Sequence, residues 1–120
     1  MALNLAAIAT ITAKTSISVN PTTAAFIIAA PSASTVVKIN SLYAANTGSG
    51  TYTADVYIVR SSPSATIYIA KSLSILTATT TVVITKDSPI YLEETTDVLW
   101  VVCAGTTPTV TFTVSYEILA

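Results

Sequence analysis

Between residues 109 and 117 the chain alternates without a break: Val110, Phe112, Val114 and Tyr116 interleave with Thr109, Thr111, Thr113, Ser115 and Glu117. Successive strand side chains point to opposite faces, so the pattern predicts a strand with one face on a core and a hydroxyl-rich face turned outward. Residues 97–103 read differently. There Val98, Trp100 and Val102 alternate with Leu99, Val101 and Cys103, so both faces are apolar, as in a strand covered on both sides. Ala104, Gly105, Thr106, Thr107 and Pro108 between the two runs are turn formers, and they predict an antiparallel hairpin.

The same period recurs upstream. Residues 52–60 set Tyr52, Ala54, Val56 and Ile58 against Thr53, Asp55, Tyr57 and Val59, and Ser61, Ser62, Pro63 and Ser64 end the run. Residues 66–75 place Ile67, Ile69, Lys71 and Leu73 opposite Tyr68, Ala70 and Ser72, with room for a bend. Residues 79–85 and 89–92 predict two short strands. Residues 36–45 predict another, followed by Asn46, Thr47, Gly48, Ser49 and Gly50, a loop of the kind that joins adjacent strands. The first third is less regular. Residues 3–13 are Ala-rich, which suits a helix, yet Ile8, Thr10, Ile11 and Thr12 favour extended backbone and the segment is read as a strand or arm. Residues 16–19 and 23–29 are read as extended, punctuated by Pro21 and Pro31. About eight or nine short strands, with turn signals roughly every 8 to 12 residues, predict an all-β fold. The expectation is a single-domain antiparallel β-sandwich, Ig-like or jelly-roll-like, over residues 21–120, with residues 1–20 as an extended arm or first strand.

Composition sharpens this picture. A chain of 120 residues suits one core, but only 9% of its residues are charged and 52% are hydrophobic, with a net charge of −1. Soluble domains average about 25% charged residues. A surface so poor in ions gives copies little mutual repulsion, so it is expected to be covered by partners, including further copies of itself. Membrane insertion is not the explanation: Pro21, Pro31 and scattered Ser and Thr interrupt the uncharged run of residues 15–37. No positive charge precedes the apolar start of residues 1–14, so a secretory signal is not expected and synthesis in the cytoplasm without export is. Lys14, Lys38, Arg60, Lys71 and Lys86 are scattered singly and supply no footprint for nucleic acid.

Candidate chemistry is sparse. The absence of histidine removes the commonest general base, triad partner and transition-metal ligand together. A single cysteine, Cys103, excludes an internal disulfide or a cysteine pair for zinc, and reads as packing. Gly48 and Gly50 mark a turn, not a phosphate loop. No catalytic, cofactor-binding or metal residue is assigned, and the chain is not expected to be an enzyme. Two constellations remain. Asp87, Glu93, Glu94 and Asp97 offer oxygen ligands for Ca²⁺, but their spacing fits no calcium loop, and a hydrated turn whose charges discourage edge pairing is the plainer reading. Tyr43, Tyr52, Tyr57, Tyr68, Tyr91 and Tyr116 offer an aromatic platform for carbohydrate, although tyrosine is equally at home in strands and interfaces, and core and interface are favoured.

Three stretches carry a resemblance. Val36, Val37, Lys38, Ile39, Asn40, Ser41, Leu42 and Tyr43 close at Ala45 and Asn46 before a small polar turn. Asp87, Ser88, Pro89, Ile90, Tyr91, Leu92 and Glu93 form an apolar strand ending in Leu-Glu before an acidic turn. The chain closes with Val114, Ser115, Tyr116, Glu117 and Ile118. Together residues 35–119 resemble small virion proteins of tailed bacteriophages, especially marine and cyanobacterial phages. The sequence departs from them in having Thr95 and Thr96 where the acidic turn usually carries glycine, and in its N-terminal third. The resemblance implies a non-enzymatic β-sandwich of the virion, made in the bacterial host cytoplasm. Its expected role is capsid decoration or cement, as a homo-oligomer on the major capsid protein. The alternatives are a neck, tail or fibre component, or a module binding carbohydrate or the host surface. Residues 1–14 are the expected tether to neighbours.

Overall fold

Alternating β-branched and aromatic residues, punctuated by Ser, Thr, Gly and Pro, leave almost no segment suited to helix. The computed structural model describes residues 7–61, 64–105 and 107–120. Its strands are β1 (Ile11–Val19), β2 (Ala25–Ile28), β3 (Val36–Asn46), β4 (Tyr52–Ser61), β5 (Ser64–Ile75), β6 (Thr80–Ile84), β7 (Ile90–Leu92), β8 (Val98–Cys103) and β9 (Val110–Leu119). They form two antiparallel sheets, confirming the sandwich. The first has the order β1-β9-β3-β6, with β7 also paired to β3, and the second the order β2-β8-β4-β5. The inner faces meet through Ile39, Leu42, Val110, Phe112 and Val114 on one side and Val56, Leu99 and Val101 on the other, all fully inaccessible.

The hairpin expected from residues 97–117 does not form. β8 lies between β2 and β4, whereas β9 lies between β1 and β3 in the other sheet. The intervening turn formers carry the chain across the sandwich. Leu99, Val101 and Cys103 then face Val110, Phe112 and Val114 through the core, and all six are buried. Alternation looks the same whether two strands lie side by side or face one another. The loop after β3 is corrected in the same way, because β3 and β4 also belong to different sheets.

Asn46 shows how these crossings are held. Its side chain is buried, and Nδ2 donates to the carbonyls of Gly50 (2.6 Å) and Ile75 (3.2 Å). Its Oδ1 accepts from the Gly48 amide (3.0 Å) and the Thr109 hydroxyl (2.7 Å). One amide thus ties together the exits of β3 and β5 and the entrance to β9, satisfying backbone groups that no ladder reaches. Gly48 is required there, since a Cβ would collide with the Thr109 side chain.

β5 departs from strict alternation. Its register on β4 shifts twice, so Ala70 stands opposite inward-facing Val56 while Tyr68 stands opposite outward-facing Tyr57. The second irregularity sits by Ser72, in the left-handed region at φ 52°. Asp55 pins it: Oδ1 accepts from the Ser72 amide (2.8 Å) and Oδ2 from Lys71 Nζ (3.1 Å).

Residues 11–14 of the expected N-terminal tether belong to β1, which pairs with β9 from Ile11 opposite Leu119 to Val19 opposite Thr111. Residues 1–6 lie outside the described residues.

Candidate interaction surfaces

Each sheet has an outer face, and strand register determines what stands on it. On the second sheet, Phe26 of β2 lies opposite Trp100 of β8, Trp100 opposite Tyr57 of β4, and Tyr57 opposite Tyr68 of β5. Paired residues share a face, so four aromatic side chains form one row across all four strands. Phe26 meets Trp100 edge to face at 5.8 Å, and Tyr57 tilts against Tyr68 at 5.4 Å. Lys71 Nζ stands 4.8 Å from the Tyr68 ring centre. The row is flanked by Val98, Val59 and Thr66 on one side and by Val102 and Asp55 on the other, all shorter side chains. The rings therefore make a ridge. Phe26 is 60% exposed and Tyr68 48%, whereas Trp100 and Tyr57 are half-buried.

Charge on this face is confined to one corner. The Asp55 carboxyl lies below its usual range, chiefly through the Ser72 amide and then through Lys71, against the opposing effect of burial. Burial pushes the Tyr57 hydroxyl up. The face thus keeps one neutralised ion pair beside an uncharged aromatic strip.

The first sheet presents a different relief. Its outward row Ile17–Thr113–Tyr43–Val82 crosses β1, β9, β3 and β6, and the next row is Val19–Thr111–Ala45–Thr80. Ile17, Val19, Tyr43 and Val82 are exposed. On the other side of Tyr43 comes a row of small side chains, Thr15–Ser115–Ser41, and beyond it Ala13–Glu117–Lys38–Tyr91. By register and side-chain size the small residues make the floor of a trough, with Ile17, Tyr43 and Val82 standing along one side and Glu117, Lys38 and Tyr91 along the other. Asn40, the extra residue at the β3 bulge, donates to Glu117 Oε1 at 2.7 Å.

The six tyrosines are divided among these surfaces. Tyr57 and Tyr68 join the ridge, and Tyr43 and Tyr91 wall the trough. Tyr52 packs against the core and donates to the Thr107 carbonyl (2.9 Å), and the Tyr116 hydroxyl lies 3.4 Å from Ser16 Oγ. The ridge also contains Phe26 and Trp100, which sequence reasoning passed over. The double apolar character of β8 was the available signal, because its outer face, expected to be covered, is only half-covered within the chain.

The acidic group is likewise divided. Asp97 is buried, and Arg60 grips it through Nε–Oδ1 (2.7 Å) and Nη2–Oδ2 (2.8 Å), with the Glu94 amide adding a contact at 3.2 Å. Burial alone would raise the Asp97 carboxyl, but Arg60 and the backbone amides hold it below its usual range. Asp87 and Glu93 stay exposed whereas Asp97 is buried, so Asp97 is no part of a hydrated turn. Among the described residues no group of three His, Cys, Asp or Glu side chains is placed to hold a metal ion. Cys103 is buried, which pushes its thiol up to about 11.

One further concavity opens beside the free edge of β1. This cavity of about 210 Å³ is lined by Lys14, Ile28, Pro31, Thr35, Tyr116 and Ile118. Lys14 stands opposite Tyr116 on the inward side of an edge strand, a placement that discourages pairing with another strand there. Among the described residues no helix is long and apolar enough to cross a membrane.

No family model matches the chain, and no curated protein matches it in sequence. Two solved structures match it in part. One belongs to the disulfide-linked pili of Bacillus endospore appendages, with a TM-score of 0.53 and 14% identity over 92% of this chain and 85% of that one. The other comes from T=1 particles derived from infectious bursal virus, with a TM-score of 0.46 and 13% identity over 93% of this chain and 32% of that one.

Proposed function

We propose that this chain is a non-enzymatic structural subunit of a bacteriophage virion, seated on the capsid as a decoration or cement protein. The observation that carries the reading is the pair of charge-poor outer faces: a sandwich with an aromatic ridge on one side and exposed Ile17, Val19, Tyr43 and Val82 on the other leaves two broad surfaces for neighbours. Large exposed apolar patches mark interaction sites. The fold is shared with a protein of Bacillus endospore pili, which supports a role in assembly. Those pili are disulfide-linked, whereas the one cysteine here is buried, so assembly of this chain rests on non-covalent contacts. Many copies on one particle gain avidity without any single contact being strong.

Mass spectrometry of purified particles of the phage encoding the chain tests this. A copy number comparable to that of the major capsid protein supports decoration; a few copies per particle places it at the neck, tail or fibre; absence from particles overturns the reading. A second reading is favoured by the ridge itself, since ranked aromatic rings beside a carboxylate and an ammonium suit a carbohydrate of the host surface. Binding on a glycan array that disappears in Phe26→Ala and Tyr68→Ala supports it.

A further inference from the structure

The two outer faces differ in relief, and the difference is complementary. The ridge Phe26–Trp100–Tyr57–Tyr68 runs across four strands, and the trough floored by Thr15, Ser115 and Ser41 also runs across its strands. Ridge against ridge would stack bulk on bulk. Ridge into trough lets the strands of the two facing sheets run nearly parallel, the aligned packing that sandwich sheets adopt at about 10 Å. Charge is sparse on both faces and of both signs: Lys71 is paired with Asp55 beside the ridge, and on the trough wall Lys38 stands in register with Glu117, which accepts from Asn40. The broad dimensions of the molecule, 48 by 27 Å, leave room for the roughly 800 Å² per partner that a stable interface buries.

We propose that the partner of the ridge is a second copy of this chain, which receives it in its trough. The contact is heterologous: each copy offers a ridge on one side and a trough on the other, so association continues into a stack or closes into a ring. A stack advances by two sheet spacings per copy, about 20 Å. This inference rests on the assembly reading above, and it names the surfaces through which copies meet.

Sedimentation velocity on the purified chain tests it. The wild type is expected to form species larger than a monomer. Phe26→Lys with Tyr68→Lys spoils the ridge, and Ser115→Arg spoils the trough; each is expected to sediment as a monomer with an unchanged circular dichroism spectrum. Thr15→Arg, at an exposed position, is the milder trough variant should Ser115→Arg not fold. Mixing a ridge variant with a trough variant is expected to give one-to-one dimers, because one sound ridge then meets one sound trough. A mixture that stays monomeric, variants that assemble like the wild type, or a wild type that is monomeric at its highest soluble concentration overturns the inference. The virion reading fails separately: a monomer found in particles leaves it standing, and a stacking protein absent from particles removes it while the ridge-and-trough contact survives.

Discussion

Arg60 and Asp97 meet through two short parallel contacts, Nε to Oδ1 at 2.7 Å and Nη2 to Oδ2 at 2.8 Å, and so fasten the end of β4 to the turn that launches β8. Asp97 is almost wholly buried and its carboxyl is held below the usual range. A carboxyl depressed on folding stabilises the native state above its unfolded pKa of about 3.9, and that stabilisation is lost as pH falls through the lower native value. The melting temperature followed by circular dichroism is therefore expected to fall steadily below about pH 4. Asp97→Asn should lower stability at neutral pH and flatten the acid limb. Arg60→Met should be more damaging alone than combined with Asp97→Asn, since alone it strands a buried charge.

Asn46 makes a sharper test of the loop crossings. Asn46→Ala removes four hydrogen bonds and leaves buried carbonyls and an amide unsatisfied, for an expected loss of about 3 kcal/mol in urea denaturation. Thr109→Ser keeps the hydroxyl and should cost under about 1 kcal/mol.

Phe112 and Thr113 are neighbours in sequence that face opposite ways. Phe112→Ala opens a cavity in the centre of the core and should cost about 3–5 kcal/mol. Thr113→Ala lies on the outer row and should stay within about 0.5 kcal/mol in the monomer. Comparable losses at both would contradict the register.

The Cys103 thiol, buried and pushed up to about 11, is expected to resist an aromatic disulfide reagent at neutral pH in the native protein. It should react at once in denaturant. Rapid labelling of the folded chain would place β8 elsewhere.

Strand positions were legible in the sequence where burial on one face was strict. Residues 109–117 and 52–60 alternate because β9 and β4 each hold one face against the core. The partition of strands between sheets was not legible, since the inward side chains of β8 and β9 repeat with the same period whether they are lateral neighbours or opposed. Bulges erased the signal in β5, where Ser72 turns left-handed and the facing reverses. The aromatic ridge was hidden for a related reason. Phe26, Tyr57, Tyr68 and Trp100 come from four strands, and only their mutual register makes them a row. Arg60 and Asp97, at opposite ends of different strands, give no local pattern at all.

Strand order also governs how this polypeptide must fold. β1 has its partner in β9, the ninth strand in chain order, and except at β4–β5 and β6–β7 consecutive strands belong to different sheets. Apart from the β4–β5 hairpin, little of the sandwich can close locally as the chain emerges from the ribosome, and such non-local topologies fold slowly. β1 and one edge of β3 stay unsheltered until β9 has been made, and until then a nascent chain is at its most vulnerable to tangling with its neighbours.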